Sequence, residues 1–244
     1  MLSNKVAVIT GGGSGIGQGI ARAFLEAGAR VILFSRNEQR LIEAKAALGS
    51  VDVDVVVGDI TKKTDVQRLY QQLGKVDIVV ANAASSGRLP MTDMDEVTFD
   101  RIMNSALKGT YLTVQCALPH VNDGGAVLLI ASVAAHRVIR HNIVYSGMKA
   151  AVVAFAQRMA FELADRNIRV NSISPGYIQT PIFSERLIKD PDFLNKRLQC
   201  IPLKRIGQPK DIADAAVFLC GDKATYITGA DLVIDGGYSV CAME

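Results

Sequence analysis

Residues 6–17 read VAVITGGGSGIG, and the reading of this stretch decides the fold. Five apolar and β-branched residues make a buried strand, and the glycines after Thr10 break it. From there Ile16, Ile20, Ala23, Phe24 and Ala27 recur on one face of a helix, which the spacing predicts over 15–28. Strand, glycine turn and helix thus follow without a gap. Glycines let the backbone turn sharply and come close to an anion, and a helix N-terminus offers free N–H groups and the positive end of its dipole. A plain tight turn is the alternative reading. The strand–turn–helix context favours a phosphate-binding turn with Gly11, Gly13, Ser14, Gly15, Ile16 and Gly17 as its contacts. The spacing is T-G-x-x-x-G-x-G, not the commoner G-x-G-x-x-G.

Outward from this unit the same rhythm repeats. Short apolar runs stand at 30–34 (RVILF), 53–57 (VDVVV), 76–81 (VDIVVA), 126–131 (AVLLIA), 169–174 (RVNSIS) and 231–236 (DLVIDG). Runs this continuous suggest strands covered on both faces, as in a parallel sheet. Helical spacing fills 38–48, 62–73, 96–120, 144–166, 183–199 and 209–221. Seven alternations of strand and helix predict a single-domain, doubly wound α/β fold with a seven-stranded parallel sheet and helices on both faces. The segment 176–208 departs from the rhythm. Pro181, Pro191 and Pro202 lie inside it and Pro209 just beyond its end, and it reads as a specificity loop over the C-terminal edge of the sheet.

Composition narrows the function. The 244 residues are 49% hydrophobic and 21% charged, enough apolar material for a full core and not a disordered chain. A net charge of +3, evenly spread, gives no basic stripe for nucleic acid or an anionic membrane. No apolar run is long enough to span a membrane. The first strand opens at Lys5, so no leader peptide is expected. Cys116, Cys200, Cys220 and Cys241 have no C-x-x-C spacing and suggest reduced thiols in a cytoplasmic protein. His120, His136 and His141 are scattered and form no metal-ligand set.

Two further places carry chemistry. After the second strand, where a carboxylate would hold the ribose 2′-hydroxyl of NAD, the chain reads Phe34-Ser35-Arg36-Asn37. Ser35 can donate a hydrogen bond, and Arg36 can pair with a 2′-phosphate and stack on adenine, which favours NADP(H) over NAD(H). Arg36 as a solvated residue before a helix is the alternative. Tyr145 and Lys149 stand four apart, on one face of a helix. A nearby ammonium stabilises phenolate, so Lys149 is expected to lower the Tyr145 pKa and make it a usable general acid. Ser132 closes the strand at 126–131, at the sheet edge where open α/β folds bind ligands.

With these motifs in view the chain resembles the short-chain dehydrogenase/reductase family. The resemblance covers about residues 5–240. Its motifs are TGGGSGIG at 10–17, Asp59-Ile60, Asn82-Ala83-Ala84, Asn104, Ser132, YSGMK at 145–149, RVNSISPG at 169–176 and TGADLVIDGG at 228–237. It implies a Rossmann-type fold and metal-free hydride transfer between a nicotinamide cofactor and a small carbonyl or alcohol. Tyr145 would protonate the carbonyl oxygen, Ser132 would hold it, Lys149 would bond the nicotinamide ribose and tune Tyr145, and Asn104 would hold a water that relays protons to Lys149. Asp59 and Ile60 would contact adenine, and Asn82 and Ala83 the adenosine ribose. Pro175, Gly176, Ile178 and Thr180 would close on the nicotinamide, with the Ile178 backbone on the carboxamide and Thr180 on the amide or a phosphate. The family's usual N-A-G is Asn82-Ala83-Ala84 here, so Ala84 adds a methyl beside the nicotinamide.

The resemblance leaves the substrate open. Candidate walls are Ala84, Val133, Ala134, Ile139, Asn142, Tyr177, Ile182, Phe183 and Leu187, beside Ser132 and Tyr145. His136-Arg137-Val138-Ile139-Arg140-His141 could greet an anion; a solvent or subunit face is the preferred reading. Ketones, aldehydes and 3-oxoacyl groups are the substrate classes, with carbonyl reduction the expected direction. A non-catalytic nucleotide- or ligand-binding regulator on the same fold is the competing reading. A homotetramer is expected from the resemblance, through the helices at 96–120 and 144–166, the strand at 231–236 and the terminal residues 238–244.

Overall fold

The alternation of apolar residues in the strands settles how the layers form. The computed structural model describes residues 1–241 apart from 86, 88, 182, 186–189 and 191. In β1 (Val6–Thr10) and β2 (Arg30–Ser35), Ala7, Ile9, Val31 and Leu33 point to one side, and Val8, Ile32 and Phe34 to the other. Each side meets helices. The first is covered by α1 (Gly15–Glu26), α2 (Glu38–Leu48) and α8 (Pro209–Cys220), through Ile20, Phe24, Leu41 and Ile212. The second is covered by α3 (Lys63–Leu73), α5 (Gly109–Ala117) and α6 (Ile143–Glu162), through Leu69, Tyr70, Val114 and Val152. Burying both faces takes these apolar side chains of β1 and β2 out of water, at roughly 25 cal/mol per Å² of apolar surface.

The remaining strands are β3 (Val53–Val57), β4 (Val76–Ala81), β5 (Val121–Ile130), β6 (Arg169–Pro175) and β7 (Asp231–Ile234). They form one seven-stranded sheet in the order β3-β2-β1-β4-β5-β6-β7, parallel throughout. This is the Rossmann-type, doubly wound sheet expected from the sequence. The order reverses at β1, so a crevice opens between the C-terminal ends of β1 and β4. Among the described residues no helix is long and apolar enough to cross a membrane.

Three elements differ from expectation. The helix expected over 96–120 is interrupted. It consists of α4 (Glu96–Ile102), a wider π-helical stretch Met103–Lys108, and α5. Within it the Gly109 N–H reaches back five residues to the Asn104 carbonyl. A π turn inserts one residue into the helical ladder and re-aims the side chains around it, and periodicity does not report it. β5 begins at Val121 rather than 126, because Arg166 ties the strand's start. Its guanidinium donates to Leu118 O at 2.7 Å, Val121 O at 2.5 Å and Asp123 Oδ1 at 2.8 Å. Of the expected helix 183–199, residues 183–185 are helical and Phe193–Gln199 form α7, with Asp190 and Asp192 outside a helix. Ile182, Leu187, Pro191 and the terminal residues 242–244 lie outside the described residues.

Candidate active site

Most candidate groups follow the C-terminal end of a strand, because parallel strands deliver their following loops to one side; Asn104, Tyr145 and Lys149 come from helices. At β1 the chain turns through Gly11, whose φ of +68° suits glycine and whose N–H donates to Phe34 O at 2.8 Å. Gly17 lies against the same turn, so closely that a methyl there would stand 2.4 Å from the Gly11 carbonyl oxygen. The Ser14 side chain does not cap α1, and the helix's first turn holds no acidic residue. The leading N–H groups of α1 are therefore available to an anion, which fits a pyrophosphate. Ser14, Gly15 and Ile16 sit at this end of α1 as expected, and Gly13 faces Arg40 on α2 at 3.5 Å from a would-be methyl.

Thr10 was not among the expected site residues, yet it organises the crevice. Its hydroxyl is buried, accepts the Asn82 and Ala83 N–H groups at 3.0 and 3.2 Å, and faces Val80 O at 3.3 Å. In return the Asn82 amide donates to Thr10 O at 2.9 Å and Gly11 O at 3.3 Å. Strands β1 and β4 are thereby clipped together at the topological switch. A buried threonine at the end of an otherwise apolar strand is the signal that points to it. Ala84 is exposed, and Ser85 beyond it is held by Ser105 Oγ at 3.0 Å.

At the ends of β2 and β3, Arg36 and Asp59 face each other at 3.9 Å, with Arg36 70% exposed. Asp59 is held from both sides: its Oδ1 accepts the Thr61 N–H at 2.9 Å, and its own N–H donates to Asp65 Oδ2 at 2.9 Å. Asp65 is a further positioning residue that the motif did not single out. Ile60 is buried beside it. Ser35 Oγ is 3.4 Å from the Asn37 N–H. Ser35 and Arg36 thus stand together after β2, the first half-buried and the second exposed.

Ser132 follows β5, and its Oγ accepts the Ala134 N–H at 3.2 Å. Lys149 is 3% exposed, donates from Nζ to Ile130 O at 2.6 Å, and holds its ammonium 5.8 Å from the centre of the Tyr145 ring. Burial pushes the lysine down to about 8. The expectation that Lys149 draws the Tyr145 pKa down is corrected here. Removal from water pushes the phenol up, and the Ser132 hydroxyl beside it offsets only part of that. Lys149 gives one of its three N–H groups to a backbone carbonyl, and burial outweighs its charge at the phenol. A phenol that keeps its proton suits a donor to a carbonyl oxygen. Asn104 lies in the π turn, which packs against α6. No hydrogen bond joins it directly to Lys149.

The chain after β6 folds back over the phosphate turn. Gly176 N–H donates to Ile234 O at 2.9 Å, Ile178 pairs with Gly207, and Gln179 N–H donates to Gly207 O at 2.8 Å. Thr180 then reaches Gly15, where a methyl would meet its Cγ2 at 3.1 Å. Pro175, Gly176, Ile178 and Thr180 thus bridge from the sheet edge to the head of α1. An open cleft of about 440 Å³ adjoins this closure, between Gln18 and Arg22 on one side and Thr180 and Pro181 on the other.

Of the expected substrate walls, Val133, Ile139 and Tyr177 share an apolar cluster with Ile201 and Tyr238, and Ala134 is buried nearby. Phe183 meets Phe193 at a tilt, with ring centres 5.8 Å apart. Asn142 precedes α6, and its carbonyl accepts the Ser146 N–H at 2.8 Å. The basic loop is anchored at its first two residues, while Val138, Arg140 and His141 are exposed. His136 Nε2 lies 2.7 Å from Asp231 Oδ2, and Ser172 and Ser174 donate to the same carboxylate at 2.5 and 2.8 Å. Arg137 donates to the carbonyls of Tyr238 and Cys241.

Comparison with known proteins agrees with this fold. A family model described as enoyl-(acyl carrier protein) reductase matches residues 11–239. The 7α-hydroxysteroid dehydrogenase of Escherichia coli K12 is 37% identical over 97% of this chain and 94% of its own length. Two solved structures superpose closely. One is a short-chain dehydrogenase/reductase from Burkholderia thailandensis, at TM-score 0.91 and 30% identity, covering 98% of this chain and 94% of that one. The other is a 3-ketoacyl-(acyl-carrier-protein) reductase from Brucella melitensis solved with NADH, at TM-score 0.89 and 33% identity, covering 98% of this chain and all of that one, 100%. Relatives of this kind are oxidoreductases of alcohol and carbonyl groups. The chain belongs to the short-chain dehydrogenase/reductase family.

Proposed function

We propose that the protein is an NADP(H)-dependent oxidoreductase that interconverts a ketone or aldehyde with its alcohol, with carbonyl reduction the working direction in a reducing cytoplasm. The observation that carries the reading is the trio at the end of β5. Buried Lys149 is fixed on Ile130 O, Tyr145 stands beside it on α6, and Ser132 adjoins the phenol. A bound dihydronicotinamide supplies the hydride. Ser132 and Tyr145 hold the carbonyl oxygen by hydrogen bonds, and Tyr145 gives it the proton. Lys149 bonds the cofactor ribose, and a water held at Asn104 returns a proton along that line. General acid catalysis of this kind contributes about 10²–10⁴-fold.

Gly11, Gly13, Ser14, Gly15, Ile16 and Gly17 cradle the pyrophosphate. Arg36, beside Ser35, takes the 2′-phosphate. Asp59, Ile60, Asn82, Ala83 and Ala84 line the adenosine and the approach to the nicotinamide. Pro175, Gly176, Ile178 and Thr180 cover the nicotinamide, with Ala134, Ile139, Tyr177 and Phe183 toward the substrate. Exposed Phe99, Tyr111 and Phe161 on α4 to α6, with Leu232 and Val240 near β7, support assembly into a homotetramer.

The test is NADPH consumption with ketones, aldehydes, diketones and 3-oxoacyl thioesters, run beside NADH and beside Tyr145→Phe. Turnover that the substitution abolishes is expected. Tight NADPH binding without turnover of any carbonyl favours the regulator instead.

A further inference from the structure

Four aromatic rings and two guanidiniums gather beyond the C-terminal ends of β5, β6 and β7, Arg137 resting over Tyr238 at 4.3 Å from the ring centre. Tyr177 meets Phe193 edge-on at 5.8 Å between ring centres and Tyr238 at 5.1 Å, and Phe183 meets Phe193 at 5.8 Å. Arg197, in the last turn of α7, lies across them. Its Cζ is 4.8 Å from the centre of the Phe193 ring and 5.3 Å from that of Tyr177. The arginine is half-buried, and its Nε is shielded from solvent with no hydrogen-bond acceptor.

The other arginines of this part of the molecule are spent. Arg137 donates to two carbonyls, Arg169 to Leu219 O at 2.5 Å, and Arg205 forms a double hydrogen bond with Asp211 at 2.7 and 2.9 Å. Arg197 has only ring faces among the described residues. Aromatic faces hold a guanidinium in place but accept no N–H in its plane. Asp190 and Asp192 lie before α7, and neither pairs with it; the exposed Lys196 beside it adds positive charge. The shielded Nε fixes how the guanidinium lies, and the terminal N–H groups of this half-buried arginine carry the charge an oxyanion from outside the chain can meet.

The placement ties this group to the reaction. Tyr177, on which the guanidinium rests, shares its apolar cluster with Val133, the residue after Ser132. The Tyr177 backbone is fixed by the Gly207 N–H at 2.9 Å. The wall is therefore continuous from the carbonyl-holding serine to the arginine, and it is apolar between them. Resting on the oxidoreductase reading above, we propose that Arg197 is an oxyanion subsite of the substrate pocket. The substrate class is a carbonyl compound, or its alcohol, with a terminal carboxylate or phosphate-type group, joined by an apolar spacer that lies along Tyr177 and Phe183.

The test uses the full chain loaded with NADPH. Straight-chain oxoacids of increasing length, from pyruvate through acetoacetate and levulinate upward, are compared with their methyl esters, and an oxoalkyl phosphonate separates a phosphate preference from a carboxylate one. At the best-fitting length, kcat/KM for the anion exceeds that for the ester on the order of 10-fold or more. Arg197→Met collapses that ratio, and Arg197→Lys keeps part of it. Equal kcat/KM for acid and ester at every length, or a ratio that Arg197→Met leaves intact, overturns the subsite while leaving the oxidoreductase reading standing. Calorimetric titration of the same anions into the NADPH complex decides the case in which no carbonyl is reduced. Binding lost in Arg197→Met upholds the subsite without the reductase, and no binding of any anion to the unaltered protein overturns it.

Discussion

The Lys149 ammonium donates to the carbonyl oxygen of Ile130 at 2.6 Å and has no carboxylate partner among the described residues. Its charge is therefore poorly compensated, and burial lowers its pKa from 10.5 to about 8. The folded chain releases this proton near pH 8, the unfolded chain near 10.5. Between those values the unfolded state binds more protons, so this group's contribution to stability rises with pH. Below pH 8 the buried charge costs about 3 kcal/mol relative to the uncharged amine. Lys149→Met is expected to be inactive, yet to melt higher than the unaltered protein at neutral pH. That advantage shrinks as pH climbs from 8 toward 10.5. A melting-temperature difference that stays flat over this range, followed by differential scanning fluorimetry, contradicts the account.

Thr10 gives a second prediction. Its hydroxyl accepts two backbone N–H groups, those of Asn82 and Ala83. Thr10→Val keeps the shape and removes the acceptor. Orphaning two shielded donors costs roughly 2–4 kcal/mol, and the crevice between β1 and β4 loosens with it. Urea denaturation should show that loss, together with weaker NADPH binding. Thr10→Ser should recover most of both, and a valine variant as stable as the parent would show that water replaces the hydroxyl.

The same pair shows what a sequence conveys about such a site. Alternation in VAVIT, which sends Ala7 and Ile9 one way and Val8 the other, is a local pattern, and the layers follow from it. The phosphate turn is local too, since Gly11 and Gly17 lie six positions apart. Tyr145 and Lys149 are one helical turn apart, so their shared face was legible. Their electrostatics were not. Whether an ammonium lowers a neighbouring phenol depends on distance and burial, and the 5.8 Å separation and the bond to Ile130 come from packing β5 against α6. His136 and Asp231 are 95 positions apart, and nothing near either announces the other. The π turn at Asn104 and the unmatched guanidinium of Arg197 are likewise products of tertiary geometry. The periodicity of 96–120 and the charge of α7 look ordinary until the neighbours are known.

Arg36 sets the cofactor prediction. It is mostly exposed and faces Asp59 at 3.9 Å, so it can turn to a 2′-phosphate without breaking a buried contact. A charge-assisted pair of this kind contributes about 1.5–3 kcal/mol, or roughly 10–150-fold in affinity. Arg36→Asp places a carboxylate where the phosphate would lie and beside Asp59. NADPH affinity should fall by that factor while NADH changes less, and the selectivity should move toward NADH. Fluorescence titration of both cofactors checks it, and an unchanged ratio rejects the assignment of Arg36.

Two glycine substitutions separate close approach from simple flexibility. At Gly17 an added methyl would stand 2.4 Å from the Gly11 carbonyl oxygen and 2.7 Å from the Asn82 amide nitrogen. Neither neighbour can retreat freely, because the Asn82 amide is bonded to Thr10 O and Gly11 O. Gly17→Ala is expected to open the turn, cost about 1–3 kcal/mol, and weaken NADPH binding more than it lowers the melting temperature. Gly147 lies between Tyr145 and Lys149 on α6, where a methyl meets no atom within 4 Å. Positions two apart on a helix do not share a face, so it points away from the pair. Gly147→Ala should therefore stabilise the protein by about 0.5–1 kcal/mol through helix propensity alone and leave NADPH affinity in place. Melting curves and NADPH titrations on the two variants decide the matter: if both lose cofactor alike, the close approach at Gly17 is not what shapes the phosphate turn.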